Sequence, residues 1–152
     1  MRFNPEYIRT MIVGEAERRR LVKNMKDEIK FVEKSWGWEK WFANTPEYCG
    51  KELHVDRGKW SSKGKYHYHN IKDETFYIIK GTLSLDYVDE NNIFYSTTLP
   101  KGTSFRVKPG IKHRFSTITL GGCNFIEAST HHDDEDSYRC YYDLEKGEWI
   151  HV

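Results

Sequence analysis

Two hydrophobic periodicities divide the chain. Over residues 1–33 apolar positions recur at three- and four-residue steps: Ile8, Met11, Ile12, then Leu21, Val22, Met25, Ile29 and Val32, interrupted at Gly14. That spacing predicts one or two amphipathic helices with a break at the glycine. Asn4 is a capping residue, Pro5 suits a first helical position, and Glu6 favours the positive end of the helix dipole. The run from Glu15 to Arg20 reads as a solvated helix face.

From about residue 50 the period shortens to two. Leu83, Leu85 and Tyr87 alternate with Thr82, Ser84 and Asp86, which predicts a half-buried strand. Asp89–Asn92 has hairpin-turn composition and leads into Phe94–Leu99. Ser104–Val107, Phe115–Leu120, Asn124–Ala128 and Tyr138–Tyr142 continue the series, separated by Pro100-Lys101-Gly102, Pro109-Gly110 and Gly121-Gly122. Short strands at this spacing without intervening helices predict an all-β sandwich or barrel. The division expected is a partly helical N-terminal extension, residues 1–48, followed by a barrel, residues 49–152.

Composition narrows the classes. The chain has 152 residues, with 24 Lys+Arg against 23 Asp+Glu, so net charge drives neither nucleic-acid nor anionic-membrane binding. Only 38% of residues are hydrophobic, but 15% are aromatic, and rings bury large areas each. No apolar run approaches the ~20 residues of a membrane helix. The start MRFNPEYIRT has no apolar signal core, and Cys49, Cys123 and Cys140 are odd in number, which fits free thiols. A cytoplasmic protein is the expectation.

The candidate chemistry lies in four residues. His67 and His69 are two apart on a predicted strand and project to one face. Glu74 follows the short Asn70–Asp73 turn, and His113 follows Pro109-Gly110. Three imidazoles and a carboxylate suit a divalent zinc, manganese, iron, nickel or cobalt ion.

This spacing resembles the cupin superfamily. His67, His69, Glu74 and Gly81 match its first motif, and Gly102, Pro109-Gly110 and His113 its second. The glycine usual before the first histidine is displaced, implying a two-residue insertion near Ser61–Gly64, and Thr117 stands where asparagine often follows the last histidine. The resemblance implies a six- to eight-stranded jelly-roll barrel, a double-stranded β-helix, with the metal inside. Val32–Glu39, Ala43–Lys51, His69–Tyr77 and Glu127–His132 followed by Asp136–Arg139 are similar to small sugar-isomerase cupins. These are the type II mannose-6-phosphate isomerase, lyxose-isomerase-like and sialic acid synthase-associated groups.

The resemblance implies a metal-dependent aldose–ketose isomerase acting on a sugar or sugar phosphate through an enediolate. Such chemistry needs a base to move a proton between C1 and C2. Glu127 is the first candidate, His131 or His132 the second, and Lys80 a distant one. A structural pairing of Glu127 with Arg106 or Arg114 is the competing reading of that carboxylate. Arg106, Lys108 and Arg139 are candidates for binding a phosphate, and Trp38, with Trp36 and Trp41, for stacking on a sugar face. The alternatives are a noncatalytic carbohydrate-binding cupin and an iron-dependent dioxygenase. The expected assembly is a homodimer through the amphipathic segment Ile8–Val32.

Overall fold

Alternation of inward and outward side chains builds two antiparallel sheets in the computed structural model, which describes residues 14–24 and 28–152. The helix α1 spans Glu15–Asn24. The strands are β1 (Lys30–Lys34), β2 (Gly37–Asn44), β3 (Cys49–Val55), β4 (Tyr66–Tyr68), β5 (Glu74–Lys80) and β6 (Thr82–Val88). They continue with β7 (Phe94–Pro100), β8 (Ser104–Val107), β9 (Lys112–Ser116), β10 (Cys123–Ser129), β11 (Tyr138–Asp143) and β12 (Glu148–His151). One sheet runs β1-β2-β3-β10-β5-β8 and the other β12-β11-β4-β9-β6-β7.

The two inner faces enclose a core of Trp36, Leu53, Val55, Phe76, Ile78, Leu83, Leu85, Phe115 and Phe125, among others. Strand parity delivers these residues: in β3, Cys49, Lys51, Leu53 and Val55 all point inward and are buried. Gly81 makes the tight passage from β5 to β6 at φ +76°, where a Cβ would lie 2.7 Å from the Gly122 carbonyl oxygen. On the outer face of the second sheet, Tyr66, Val88 and Cys140 form a smaller cluster with Tyr68 and Trp149.

The all-β architecture matches the expectation, with three differences. The described residues hold twelve strands rather than six to eight. Residues 30–44, read as part of the extension, form β1 and β2, and β2 pairs with β3 across residue 48. The helical spacing of Ile29 and Val32 was outweighed there by tertiary pairing, with Glu39 and Trp41 alternating inward. The strand expected at Phe115–Leu120 lies upstream as β9, because Thr117 turns the chain by donating its hydroxyl to the Thr82 carbonyl at 2.7 Å.

Helix α1 begins directly after Gly14 and is exposed, with Arg19 paired to Glu15 at 2.5 Å and Arg20 to Glu17 at 3.1 Å. The proposed cap at Asn4–Glu6 and the positions Ile8, Met11, Ile12 and Met25 lie outside the described residues. All three cysteines are free and buried. Among the described residues no helix is long and apolar enough to cross a membrane.

Candidate metal centre

His67, His69, Glu74 and His113 converge, their ligand atoms all within 4.8 Å of one another. β4 presents His67 directly opposite His113 of β9, so both project into the barrel from neighbouring strands. His69 lies just beyond β4, and Glu74 opens β5.

The short link between them is held from outside by Asp136. Its carboxylate accepts the backbone N–H groups of Asn70, Ile71 and Lys72 at 2.8, 3.1 and 3.0 Å. Its carbonyl accepts Nδ1–H of His69 at 2.5 Å. The Ile111 carbonyl likewise accepts Nδ1–H of His113 at 3.0 Å. A carbonyl only accepts, so both rings carry their proton on Nδ1 and turn the Nε2 lone pair towards Glu74.

The donor set calls for a cation. Nε2 of His113 and Oε1 of Glu74 lie 3.0 Å apart, yet neither has a hydrogen-bond partner, and Nδ1 of His67 is equally orphaned. Nε2 of His69 lies 3.6 Å from the same carboxylate oxygen. Lone pairs facing each other inside a protein repel, and a positive ion among them resolves the repulsion. The residues therefore fit a divalent metal ion. Burial, reinforced by the neighbouring His113, holds the His67 ring well below the usual histidine range, and burial also lowers His69. Both rings are thus kept in the neutral, ligating form.

His67, His69 and Glu74 form one side of a cavity of about 330 Å³. The other side is a ladder of buried alternating charge. Lys72 contacts Glu74 at 3.0 Å and makes a short ion pair with Glu127. Lys51 lies 3.8 Å from Glu127 and 3.7 Å from Glu39. Burial lowers the Lys72 ammonium, but Glu127 and Glu74 outweigh that and raise it, so it stays charged. Trp41 closes the far end by donating Nε1–H to Glu39 at 2.7 Å.

A third wall is strained. Ser62, Lys63 and Gly64 adopt φ of +51°, +55° and +83° in succession, a turn of left-handed backbone. It falls where the sequence implied an insertion, and Ser61 and Ser62 line the cavity. Ser61 Oγ accepts Phe115 N–H at 2.9 Å, and the Gly64 carbonyl accepts Arg114 Nη1–H at 2.6 Å, which holds the turn despite its cost.

Several proposed site residues lie elsewhere. Glu127 lines the cavity and is 4% exposed, but its partners are Lys72 and Lys51, since Arg106 pairs with Asp73 and Arg114 with Asp86. Arg106 is therefore corrected from substrate binding to an exposed ion pair at 2.6 Å. Lys80 is exposed at the end of β5 away from Glu74 and is absent from the cavity wall. His131 turns outward, donating Nδ1–H to the Thr45 carbonyl at 2.8 Å, and His132 lines the cavity instead, 3.0 Å from Lys51 Nζ. Trp38 stacks on His54 at 5.3 Å on the outer face, and Trp36 is the tryptophan at the cavity. Arg139 does line the cavity. The sequence alone did not single out Lys51, Lys72 or Asp136. The parity of Lys51 with Leu53 and Val55 was an available signal, whereas Asp136 was hidden in an acidic run.

Fold and site together define a double-sheet jelly roll with a three-histidine, one-glutamate metal cluster inside. The chain belongs to the cupin domain family, whose pattern it matches over residues 53–129. Solved structures with the same fold include oxalate decarboxylase from Bacillus subtilis, with TM-score 0.65 and 13% identity over 74% of this chain and 30% of that one. The Lactobacillus farciminis oxalate decarboxylase formate complex gives TM-score 0.63 and 15% identity, covering 72% and 33%. CapF with inhibitor 3-isopropenyl-tropolone gives TM-score 0.63 and 16% identity, covering 75% and 35%. The chain thus spans about a third of each of these proteins. No curated protein matches it.

Proposed function

We propose that the protein is a metal-dependent isomerase interconverting an aldose and a ketose, free or phosphorylated. The observation that carries this reading is Glu127, a buried carboxylate in the cavity wall, joined to the ligand Glu74 by the single ammonium of Lys72. His67, His69, Glu74 and His113 hold the ion, which when bound supplies Lewis acidity to the sugar's adjacent carbonyl and hydroxyl oxygens. Glu127 removes the C2 proton and returns it at C1. The ammonium groups of Lys72 and Lys51, the latter 3.8 Å from its Oε1, hold it in place. Lys72 presents positive charge where negative charge accumulates on the sugar oxygens, fixed in advance by its two carboxylates. Trp36 closes the apolar side. The reading includes a homodimer, which light scattering of the full chain and of a chain lacking residues 1–30 tests.

Mn(II) is the first ion to load, because Mn(II) centres are described for Bacillus subtilis oxalate decarboxylase. Exchange of the C2 proton with deuterium is then followed across a panel of aldoses, ketoses and their phosphates. Glu127→Gln keeps the shape of the base without its basicity, so exchange falls about 10²–10⁴-fold while metal content persists. Absence of exchange with every sugar overturns the isomerase reading. Tight sugar binding without exchange then points to a noncatalytic module, and iron-dependent oxygen uptake to a dioxygenase.

A further inference from the structure

Arg139 lies on the same rung of the second sheet as two metal ligands. β11 places it opposite His67, and β4 places His67 opposite His113. Residues opposite one another on antiparallel strands project to the same face, so Arg139 leaves the sheet on the histidines' side and, being exposed, stands at the mouth of the cavity. The flanking Cys140 faces the other way and is fully buried in the outer aromatic cluster. Arg139 therefore lines the cavity from a strand whose neighbouring positions serve the opposite face.

Every other cation of this cavity has an acidic partner. Lys51 and Lys72 are bound into the ladder, and Lys34 lies 3.5 Å from Glu39. The Arg139 side chain has no hydrogen-bond or ion-pair partner among the described residues. A guanidinium at the mouth of a site, its five donors taken by no protein group, is available to an oxyanion that enters. A neutral sugar leaves it unmatched. A phosphate normally collects several donors, from a helix N-terminus, a glycine-rich loop or a cluster of cations. Here one planar fork stands alone, and a planar, singly charged carboxylate matches it.

We propose that the ligand is a uronate-type sugar: its carbonyl end meets the metal ligands, Lys72 and Glu127, and its far-end carboxylate is bound by Arg139. This deepens the isomerase reading by naming its substrate class and rests on it for the position of the carbonyl end. No covalent step is added, because Arg139 binds and orients.

Matched series separate the possibilities, since glucose, glucuronate and glucose 6-phosphate differ only at C6, as do the galactose and mannose sets. Titration calorimetry on the Mn(II)-loaded full chain reads affinity directly. In at least one series the uronate binds about 10-fold or more tighter than both the neutral sugar and the phosphate. Arg139→Gln removes most of that ratio with metal content unchanged and neutral-sugar affinity unmoved, and Arg139→Lys, a point charge without the fork, restores part of it. A neutral sugar or a phosphate binding as tightly as its uronate in every series overturns the proposal. So does a ratio that survives Arg139→Gln, or the absence of uronate binding altogether. Should Arg139→Gln not fold, the wild-type ratio remains decisive. C2 exchange with a neutral sugar, alongside no preference for the uronate, sinks this proposal and leaves the isomerase reading intact.

Discussion

The metal wall and the lysine–glutamate wall of the cavity are both buried and both charged, yet they draw on the chain in different ways. Three of the four ligands fall within the eight residues from His67 to Glu74, and the fourth sits directly across one strand pair. The ladder takes Glu39 from β2, Lys51 from β3, Lys72 from the β4–β5 link and Glu127 from β10. The ligand wall presents lone pairs without partners, whereas the ladder satisfies its own charges internally. One wall is built to receive a cation. The other holds its carboxylates and ammonium groups in place whether or not anything is bound. The cavity thus has one side that a metal ion completes and one side that is complete already.

The largest effect separating the walls is at His69. Its Nδ1 is committed to Asp136 and its Nε2 to the cluster, so His69→Ala abolishes stoichiometric metal binding, measured by elemental analysis of purified protein. Full metal content in that variant removes His69 from the site. Next comes Lys51→Met, which removes the ammonium shared by Glu39 and Glu127 and leaves Glu39 with only Lys34 and Glu127 with only Lys72 as a cationic partner. Breaking a buried pair by removing one partner costs about 3–5 kcal/mol, read as a fall in the urea midpoint, while metal content is unchanged. Adding Glu127→Gln to that variant recovers part of the loss, because two carboxylates then no longer share the cavity wall with one ammonium fewer, and Lys72 keeps Glu74.

Acidification distinguishes the walls more gently. The folded-state pKa values of His67 and His69 are lowered from the ordinary histidine value near 6.5. Between those lowered values and about 6.5 the unfolded chain binds more protons than the folded one. Stability of the metal-free protein is therefore full above about pH 6.5 and declines as pH falls through the folded values. The decline amounts to about 1.4 kcal/mol for each pH unit that separates the folded and unfolded values. His69→Ala lessens it, as urea midpoints at pH 7.5 and 5.5 test. The smallest effect is a gain. Lys63→Gly relieves a left-handed φ of +55°, raising stability by about 0.5–1 kcal/mol, and Lys63 does not line the cavity, so metal content stays unchanged.

The same contrast explains what the sequence made legible. Spacing alone located the ligand wall, because metal ligation demands particular residue types at short intervals and leaves a local trace. Strand alternation located Leu83, Leu85, Phe125 and Glu127 on inward faces. The ladder left a weaker trace: Lys51 shares the parity of Leu53 and Val55, but a lysine among core positions looks like an interruption until Glu39 and Glu127 are seen beside it. β1 and β2 were hidden because their pairing to β3 is decided by distant contacts, while the local pattern at Ile29 and Val32 favours a helix. Arg106 and Lys80 were misplaced for a related reason, since both are cations on strands of the first sheet and only the Asp73 pairing and the end of β5 reveal them as exposed.

Asp136 gives the molecule an order of assembly. The contact between its carbonyl and His69 closes a span of 67 residues, longer than any span among the four ligands themselves. Closing so long a loop is entropically costly and slow, and the cost is met only when β11 pairs with β4. During synthesis His67, His69, Glu74 and His113 have all left the ribosome before the residue that fixes the His69 tautomer and clamps the link to Glu74. Metal captured by the nascent chain therefore meets a loose set of donors, and tight, selective retention begins only with the docking of β11.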